Sequence, residues 1–155
     1  MKPTSLKRYG LLGPVVLGLS LGLLAGCGGS PYPLARVSGV VTLDGEPLAG
    51  ARVAFQPRLE GGGTDSGPGS YGTTDAQGRY SLATIDGARG AVVATHDVRI
   101  STFQAEADPA ADALKTISPE RVPARYQQPD ALTFTVPAEG TTSADFHLTT
   151  TSGVQ

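Results

Sequence analysis

The chain has 155 residues, with 12 Lys or Arg, 14 Asp or Glu and a single cysteine. A formal net charge of −2 argues against a nucleic-acid-binding protein, which needs clustered positive charge to meet phosphates. One cysteine excludes an internal disulfide. The 21 glycines and 12 prolines indicate many turns, as in an all-β domain built from short strands.

The beginning of the chain has the layout of an export signal. Lys2, Lys7 and Arg8 precede an apolar run over positions 11–25 that ends in small residues. A basic start, an apolar run and small residues at its end are typical of a secretory signal peptide. The run is shorter and richer in glycine than a membrane-spanning helix, which needs about 20 apolar residues.

The end of this run carries a more specific signal. Positions 24–27 read Leu-Ala-Gly-Cys, which resembles the bacterial lipobox, where cleavage precedes the cysteine and acyl chains are attached to it. The resemblance implies a lipoprotein signal peptide at 1–26 and lipid attachment at Cys27; the alternative is an ordinary signal peptide with a coincidental cysteine. Because one acyl chain anchors only marginally, the several chains of a lipoprotein would hold the protein at a membrane.

The rest of the chain is long enough for one domain with a modest core. Residues 27–35 contain several glycines and prolines and predict a flexible tether. The domain itself is expected at 36–149, followed by a polar, disordered tail at 150–155. Gly28 follows the cysteine, and in bacteria that sort lipoproteins by an aspartate at this place its absence favours the outer membrane.

Alternating apolar residues predict six or seven short strands within the domain. Turns are expected at Asp44-Gly45, over 75–78 and at Asp86-Gly87, because glycine tolerates a positive φ and aspartate bonds its own local backbone. Strands with one apolar face each predict a single antiparallel β-sandwich. The predicted core-facing sets are Val37/Gly39/Val41/Leu43, Ala51/Val53/Phe55, Tyr80/Leu82, His96/Val98/Ile100, Leu132/Phe134/Val136 and Ala144/Phe146/Leu148.

Two segments interrupt the strand pattern. Residues 58–70 are rich in glycine and polar, which predicts a mobile surface loop. No Gly-Lys-Ser/Thr follows these glycines, which argues against a phosphate-binding loop. Residues 103–130 form a long break in which 108–115 could be one short helix, with Asp108 as its cap and proline in its first turn. Such a loop is usually either functional or disordered, and the sequence does not decide between the two.

The order of these motifs resembles a known family. Positions 37–55 read Val-Ser-Gly-Val-Val-Thr-Leu-Asp-Gly-Glu-Pro-Leu-Ala-Gly-Ala-Arg-Val-Ala-Phe, and positions 74–82 read Thr-Asp-Ala-Gln-Gly-Arg-Tyr-Ser-Leu. They resemble the carboxypeptidase regulatory-like domain, a transthyretin-like sandwich of about seven strands. Behind a lipobox, and with 96–100 and 122–126 downstream, the chain is similar to small surface lipoproteins of planctomycete-type bacteria. The resemblance covers 36–148 and implies an accessory or binding module without catalytic residues.

The residues show no catalytic constellation. The two histidines lie on predicted strands, His147 on a solvent face and His96 in register with core residues, where we expect it to be half-buried. No Gly-x-Ser-x-Gly elbow surrounds a serine, and two isolated histidines do not make a metal site. Asp44, Asp75 and Asp86 could supply oxygen ligands to calcium, but each is followed closely by glycine, which favours plain turns.

We therefore expect a membrane-anchored, non-enzymatic envelope lipoprotein whose sandwich serves as a structural or protein-interaction module, without a cofactor or metal. Its partners would be the membrane, through Cys27, and an envelope protein or polysaccharide. The alternative is a carbohydrate- or peptide-binding module, which needs an exposed aromatic platform; an enzyme using loop residues is a third reading. Beyond the predicted signal peptide, the aromatic residues outside the predicted core are Tyr32 and the three predicted partner or ligand contacts, Tyr71, Phe103 and Tyr126.

Overall fold

The computed structural model describes residues 32–59, 65–108 and 113–151. These ranges are nearly all β, with thirteen strands and one 3-10 helix at Ala124–Gln127. The strands are β1 Leu34–Ala35, β2 Ser38–Leu43, β3 Glu46–Pro47, β4 Arg52–Pro57, β5 Ser70–Thr73, β6 Arg79–Ser81, β7 Ala83–Thr84, β8 Ala91–Val92, β9 Thr95–Ser101, β10 Gln104–Asp108, β11 Ala113–Ser118, β12 Thr133–Thr135 and β13 Phe146–Leu148.

Several predictions fall on residues that the structure does not describe. They are the signal peptide at 1–26, Cys27 with the first part of the tether, positions 60–64 of the glycine-rich loop, positions 109–112 of the possible helix, and 152–155 of the tail. Within the described ranges, no helix is long and apolar enough to cross a membrane.

Two main sheets form the sandwich. The larger sheet is antiparallel throughout and has the order β12-β9-β4-β5-β7. The other is built around β2, which pairs with β13, β3 and β6. The pair β1–β8 and the β10–β11 hairpin are separate two-stranded sheets. The predicted all-β sandwich is confirmed.

One strand pair departs from the antiparallel pattern. β13 runs parallel to β2, with Phe146 opposite Val41. The cause lies before β13, where the chain already follows β2 in the same direction: Ser38 N donates to Thr141 O, and Ala144 N donates to Ser38 O, both at 3.0 Å. The chain therefore reaches β13 without the reversal that an antiparallel pair requires.

The core lies between the two sheets and follows the predicted alternation. Phe55 of β4 is fully buried, and its ring centroid lies 5.8 Å from that of Phe134 and 6.1 Å from that of Phe146. Burying such a side chain contributes about 2–3 kcal/mol. The buried apolar residues are Ala35, Val37, Val41, Leu48, Ala51, Val53, Phe55, Tyr80, Leu82, Ala91, Val92, Val98, Ile100, Val122, Val136, Ala144, Phe146 and Leu148.

Glycine is required at two different kinds of position. Asp44 and Gly45, with φ of 52° and 85°, form the tight turn between β2 and β3 that the sequence predicts. Gly39 is instead a packing residue, because a Cβ added there would lie 2.1 Å from Ala144 O. Only a residue without a side chain lets the segment before β13 approach β2 so closely.

His96 is fully buried rather than half-buried. Its position in β9 lies opposite Phe134 of β12, and its ring centroid is 5.5 Å from that of Phe55. Nε2 hydrogen bonds to Val92 O at 2.8 Å. Burial lowers the pKa of His96 against the smaller opposing effect of this hydrogen bond. His147 is exposed, as predicted, and its Nδ1 hydrogen bonds to the Thr42 hydroxyl.

The predicted helix over 108–115 is wrong, and so is the absence of regular structure over 103–130. Residues on both sides of 109–112 form the strands β10 and β11, with Ala107 opposite Leu114. The aspartate-proline signal is outweighed by period-two alternation and by the β-forming residues of β11.

Both predicted ends of the domain also need correction. Leu34 and Ala35, assigned to the tether, form β1. At the other end, Thr150 lies in the predicted disordered tail but is bound to the fold. Its backbone N and its hydroxyl donate hydrogen bonds to the Asp44 carboxylate, at 2.8 Å and 2.7 Å. The fold is therefore longer at each end than the period of its apolar residues indicates.

Replacing Gly39 by alanine should destabilise the fold. The added methyl group would meet the backbone of Ala144, and such overpacking should lower the free energy of unfolding by about 3 kcal/mol. The control is Gly87→Ala, where the positive φ of 86° is retained but nothing lies near the new methyl, so about 1 kcal/mol is expected. Denaturant titration measures both; equal losses would contradict the packing role of Gly39.

Acidification should destabilise the protein through His96. Because burial favours the neutral ring, the unfolded state binds more protons below the ordinary histidine pKa of about 6.5. The free energy of unfolding should therefore be highest above pH 6.5 and fall as the pH drops towards 5. His96→Gln should remove this slope, and His147→Gln, at the exposed histidine, should retain it. Chemical denaturation at several pH values measures the slopes, and an unchanged slope in His96→Gln would refute the assignment.

Candidate functional site: the β10–β11 hairpin

The β10–β11 hairpin is exposed on both of its faces. Every described residue from Gln104 to Ala107 and from Ala113 to Ile117 is accessible to solvent. The strands pair in antiparallel register, with Ala105 opposite Thr116 and Glu106 opposite Lys115. A two-stranded hairpin has little stability of its own in water, so its exposure needs an explanation.

One face of the hairpin is apolar. Directly paired residues share a face and neighbours along a strand alternate, so Ala105, Ala107, Leu114 and Thr116 lie together. Leu114 is 76% exposed. A register shift between Gln104 and Ala105 leaves Ile117 without a partner residue, and it is 51% exposed. We call Ala105, Ala107, Leu114 and Thr116, together with the exposed residues Ile117 and Phe103, the hairpin surface.

The hairpin also carries two unpaired edges. Within the described residues, β10 and β11 pair only with each other. The backbone N–H and C=O groups that point away from the pair therefore meet solvent. An unpaired edge is a template for another strand, and soluble proteins usually protect it by shortness, charge or proline.

The base of the hairpin is held by Glu120. This carboxylate accepts hydrogen bonds from the Ser101 hydroxyl at 2.5 Å, from Thr102 N at 3.0 Å and from Val122 N at 2.9 Å. Partial burial alone would raise the pKa of Glu120, but these hydrogen bonds outweigh it and lower the pKa to about 2. Glu120 is therefore ionised at neutral pH and joins the two chain segments that enter and leave the hairpin. We call these contacts the Glu120 clamp.

Neighbouring contacts fix this clamp to the sandwich. Thr102 is 1% exposed, and its hydroxyl accepts a hydrogen bond from Arg121 N at 2.7 Å. The Arg121 guanidinium donates to Ala49 O at 2.7 Å. Gln104 Nε2 donates to Gly50 O at 3.3 Å. An ordered base thus supports the exposed strands β10 and β11.

The hairpin and the start of the fold lie at opposite ends of β9. β1 pairs with β8, which immediately precedes β9, whereas β10 immediately follows it. The seven residues of β9 span roughly 20 Å. The tether therefore enters the fold at one end, and the hairpin extends from the other.

The three aromatic residues predicted as partner contacts do not form one platform. Phe103 is 53% exposed and belongs to the hairpin surface. Tyr71 lies in β5 with the Arg52 guanidinium 4.8 Å above its ring. Tyr126 packs against the core from the 3-10 helix, and its hydroxyl accepts a hydrogen bond from Thr149 N at 3.1 Å. These three residues have no contact partner in common among the described residues. Of the three, only Phe103 adjoins the hairpin.

Tyr32 is also engaged in the fold. Its hydroxyl hydrogen bonds to Asp65, and this bond raises the pKa of Tyr32. A Cβ added at Gly67 would lie 2.9 Å from its ring. Tyr32 therefore packs on the described end of the glycine-rich loop and does not offer an open aromatic face.

Asp75 and Asp86 use their carboxylates for local hydrogen bonds. Asp75 accepts from the backbone N of Gln77 and of Arg79, both at 2.9 Å. Asp86 accepts from the Thr84 hydroxyl. The expectation of a local bond is wrong for Asp44, whose carboxylate accepts from Thr150. In the described ranges, no three His, Cys, Asp or Glu side chains gather into a possible metal site.

A groove of about 810 Å³ lies beside the β1–β8 pair. The buried residues Val37 and Leu82 line it, and the exposed residues Arg36 and Arg89 stand at its sides, with Glu139 nearby. Among the described residues, neither guanidinium takes part in an ion pair or side-chain hydrogen bond. None of the described residues that line the groove is aromatic, and those residues offer cationic and hydroxyl groups rather than a stacking surface for sugars.

Removing the Glu120 carboxylate should loosen the hairpin. Glu120→Ala leaves the backbone N–H groups of Thr102 and Val122 without their acceptor, which should cost about 2 kcal/mol, while the Thr102 hydroxyl can still donate to Pro119 O. Amide exchange across β10 and β11 should accelerate. Glu106→Ala, at an exposed residue of β10, is the control and should leave exchange at the base unchanged.

The pH dependence of the same exchange provides a second check. Since the folded pKa of Glu120 lies near 2 and the ordinary value near 4.5, the clamp should be intact above pH 4.5 and weaken as the pH falls towards 2. Equal protection in the wild type and in Glu120→Ala would contradict the role of the clamp.

Comparisons with known proteins do not place the chain in a family. No family model and no curated protein matches the sequence. Among solved structures, the chain is similar to a 9R-lipoxygenase from Cyanothece PCC8801, with 12% identity and a TM-score of 0.38. The match covers 94% of this chain but only 18% of the lipoxygenase. A TM-score this low supports no conclusion about fold or activity.

Proposed function

We propose that the protein is a membrane-anchored, non-enzymatic envelope lipoprotein whose β-sandwich presents the β10–β11 hairpin to a protein partner. The observation that carries this proposal is an exposed apolar hairpin on an ordered base. Leu114, Ile117 and Phe103 are each more than half exposed, while the Glu120 clamp fixes the chain beneath them. Exposed apolar surface held in a defined position is typical of an interaction site.

The position of the hairpin suits an anchored protein. From Cys27 to Leu34 the chain can reach at most about 24 Å, since an extended residue spans about 3.4 Å. Lipid on Cys27 would therefore keep the β1 end close to the membrane. The hairpin, at the other end of β9, would face away from the bilayer and towards other envelope components.

The use of the histidines supports a non-enzymatic role. His96 is inside the core, where its ring contacts Phe55, and His147 pairs with Thr42 on the outer face. His96 bonds a backbone carbonyl, and among the described residues His147 contacts the Thr42 hydroxyl without the orienting carboxylate that completes a hydrolase triad. We further propose, from the resemblance of 36–148, that the sandwich is transthyretin-like and of the carboxypeptidase regulatory-like type.

The groove beside the β1–β8 pair favours a second candidate function. Arg36 and Arg89 could hold the carboxylate of an extended peptide or the acidic group of a polysaccharide, with the hydroxyls of Ser38, Ser81 and Thr141 as further donors. The groove would then be the binding site of the carbohydrate- or peptide-binding alternative. It differs from the first proposal in using the opposite end of the molecule.

A photo-crosslinking residue placed at Ile117 should capture one envelope protein on intact cells. The control position is Ile85, which is 81% exposed but lies in a turn away from the hairpin. The tagged protein purified from the same cells should carry acyl chains on Cys27, as shown by the mass of its N-terminus.

Different results point to different errors in the proposal. A copurifying glycan or peptide that is lost in Arg36→Ala/Arg89→Ala, with no protein captured at position 117, would favour the groove. An unmodified N-terminus, with the protein released into the medium, would refute the anchor.

A further inference from the structure

β11 has the longest unpaired edge among the described strands. It has six residues, whereas the other strands at sheet edges, apart from β10, have two or three. It contains no proline, and Lys115 is its one charged residue. The usual protections of an edge strand, which are shortness, proline and several charges, are therefore reduced to a single lysine.

The two edges of the hairpin are not equivalent. β10 reads Gln-Ala-Glu-Ala-Asp, which is acidic and poor in β-forming residues. β11 reads Ala-Leu-Lys-Thr-Ile-Ser and contains the leucine, threonine and isoleucine that suit a pleated surface. An added strand would be stabilised by side-chain pairs mainly along β11.

The side chains of β11 define what an added strand would carry. Lys115 has Glu106 across from it on β10, and no described strand pairs with β11 on the other side of Lys115. An acidic residue of the added strand would fit there. Its two neighbours in the added strand would point to the opposite face, where Leu114 and Thr116 favour apolar or β-branched side chains.

We propose that β11 is a docking edge for an extended segment of another envelope protein, in which an acidic residue flanked by apolar residues pairs with Lys115. The docking mode is strand addition, where backbone hydrogen bonds supply affinity and alternating side chains supply specificity. This proposal rests on the proposed function, because it names the chemistry of the partner that the hairpin would meet.

A second copy of this chain fits the edge less well. In two copies paired through β11, the added strand would bring a second lysine and no acid to Lys115. Pairing β11 with β10 of another copy would supply Glu106, but that contact is head-to-tail and leads to rings or filaments rather than to a two-fold dimer. Charge and symmetry therefore both favour a different protein.

The test uses the full lipidated protein in detergent micelles and a fluorescent peptide, Val-Thr-Val-Glu-Val-Thr-Val, as the probe. Binding should weaken about tenfold in Lys115→Glu, because an attractive cross-strand pair becomes repulsive. Changing the glutamate of the peptide to lysine should restore binding to that variant. Arg99→Glu, at an exposed residue of β9 that pairs with Ala54 of β4, makes the same change of charge outside the hairpin and should bind like the wild type.

A backbone-modified peptide separates strand addition from side-chain contact. Methylating alternate backbone nitrogens on the pairing edge should abolish binding, and methylating the other set should not. Undiminished binding in Lys115→Glu, or in both methylated peptides, would overturn the proposal. Concentration-dependent filaments in which position 117 crosslinks only to the same protein would overturn it as well. Capture of an envelope protein at position 117 without peptide binding would refute the docking edge and leave the proposed function standing.

Discussion

The fold depends on the contact that Phe55 makes across the sandwich. Its ring meets Phe146 from the other sheet, and His96 of β9 and Phe134 of β12 from its own sheet. This cluster holds β4 and β9 against β13, so the direction of β9 is set by the core. Because the hairpin begins where β9 ends, the core also determines where the hairpin extends from the sandwich.

The period of apolar residues was sufficient to predict the core but not the way its strands meet. Val53, Phe55 and Ile100 are buried as their alternation predicts, since one face of each strand must leave water. The parallel β2–β13 pair depends on how closely Ala144 approaches Gly39, and that distance is a tertiary property with no local pattern. The burial of His96 likewise depends on β12, which covers it and lies far from it along the chain, so local alternation does not predict how deeply His96 is buried.

The candidate site could be located from the sequence, but its structure could not. The interruption of alternation over 103–130 marked a segment that was either functional or disordered, and the hairpin lies there. The signals that misled the prediction were local, an aspartate followed by proline. The Glu120 clamp joins Ser101 and Thr102 to a carboxylate about twenty positions away, which no spacing rule would suggest.

An ordered base changes what an exposed strand can do. An edge that must be ordered upon binding loses conformational entropy, at roughly 1–2 kcal/mol per backbone residue. Here the ionised Glu120 and buried Thr102 hold both ends of the hairpin before any partner arrives, so less of that loss accompanies association. The same base limits where the strands can move, which keeps Leu114, Lys115 and Thr116 in one register. The Glu120 clamp would therefore support the proposed recognition at β11 by reducing this loss of entropy.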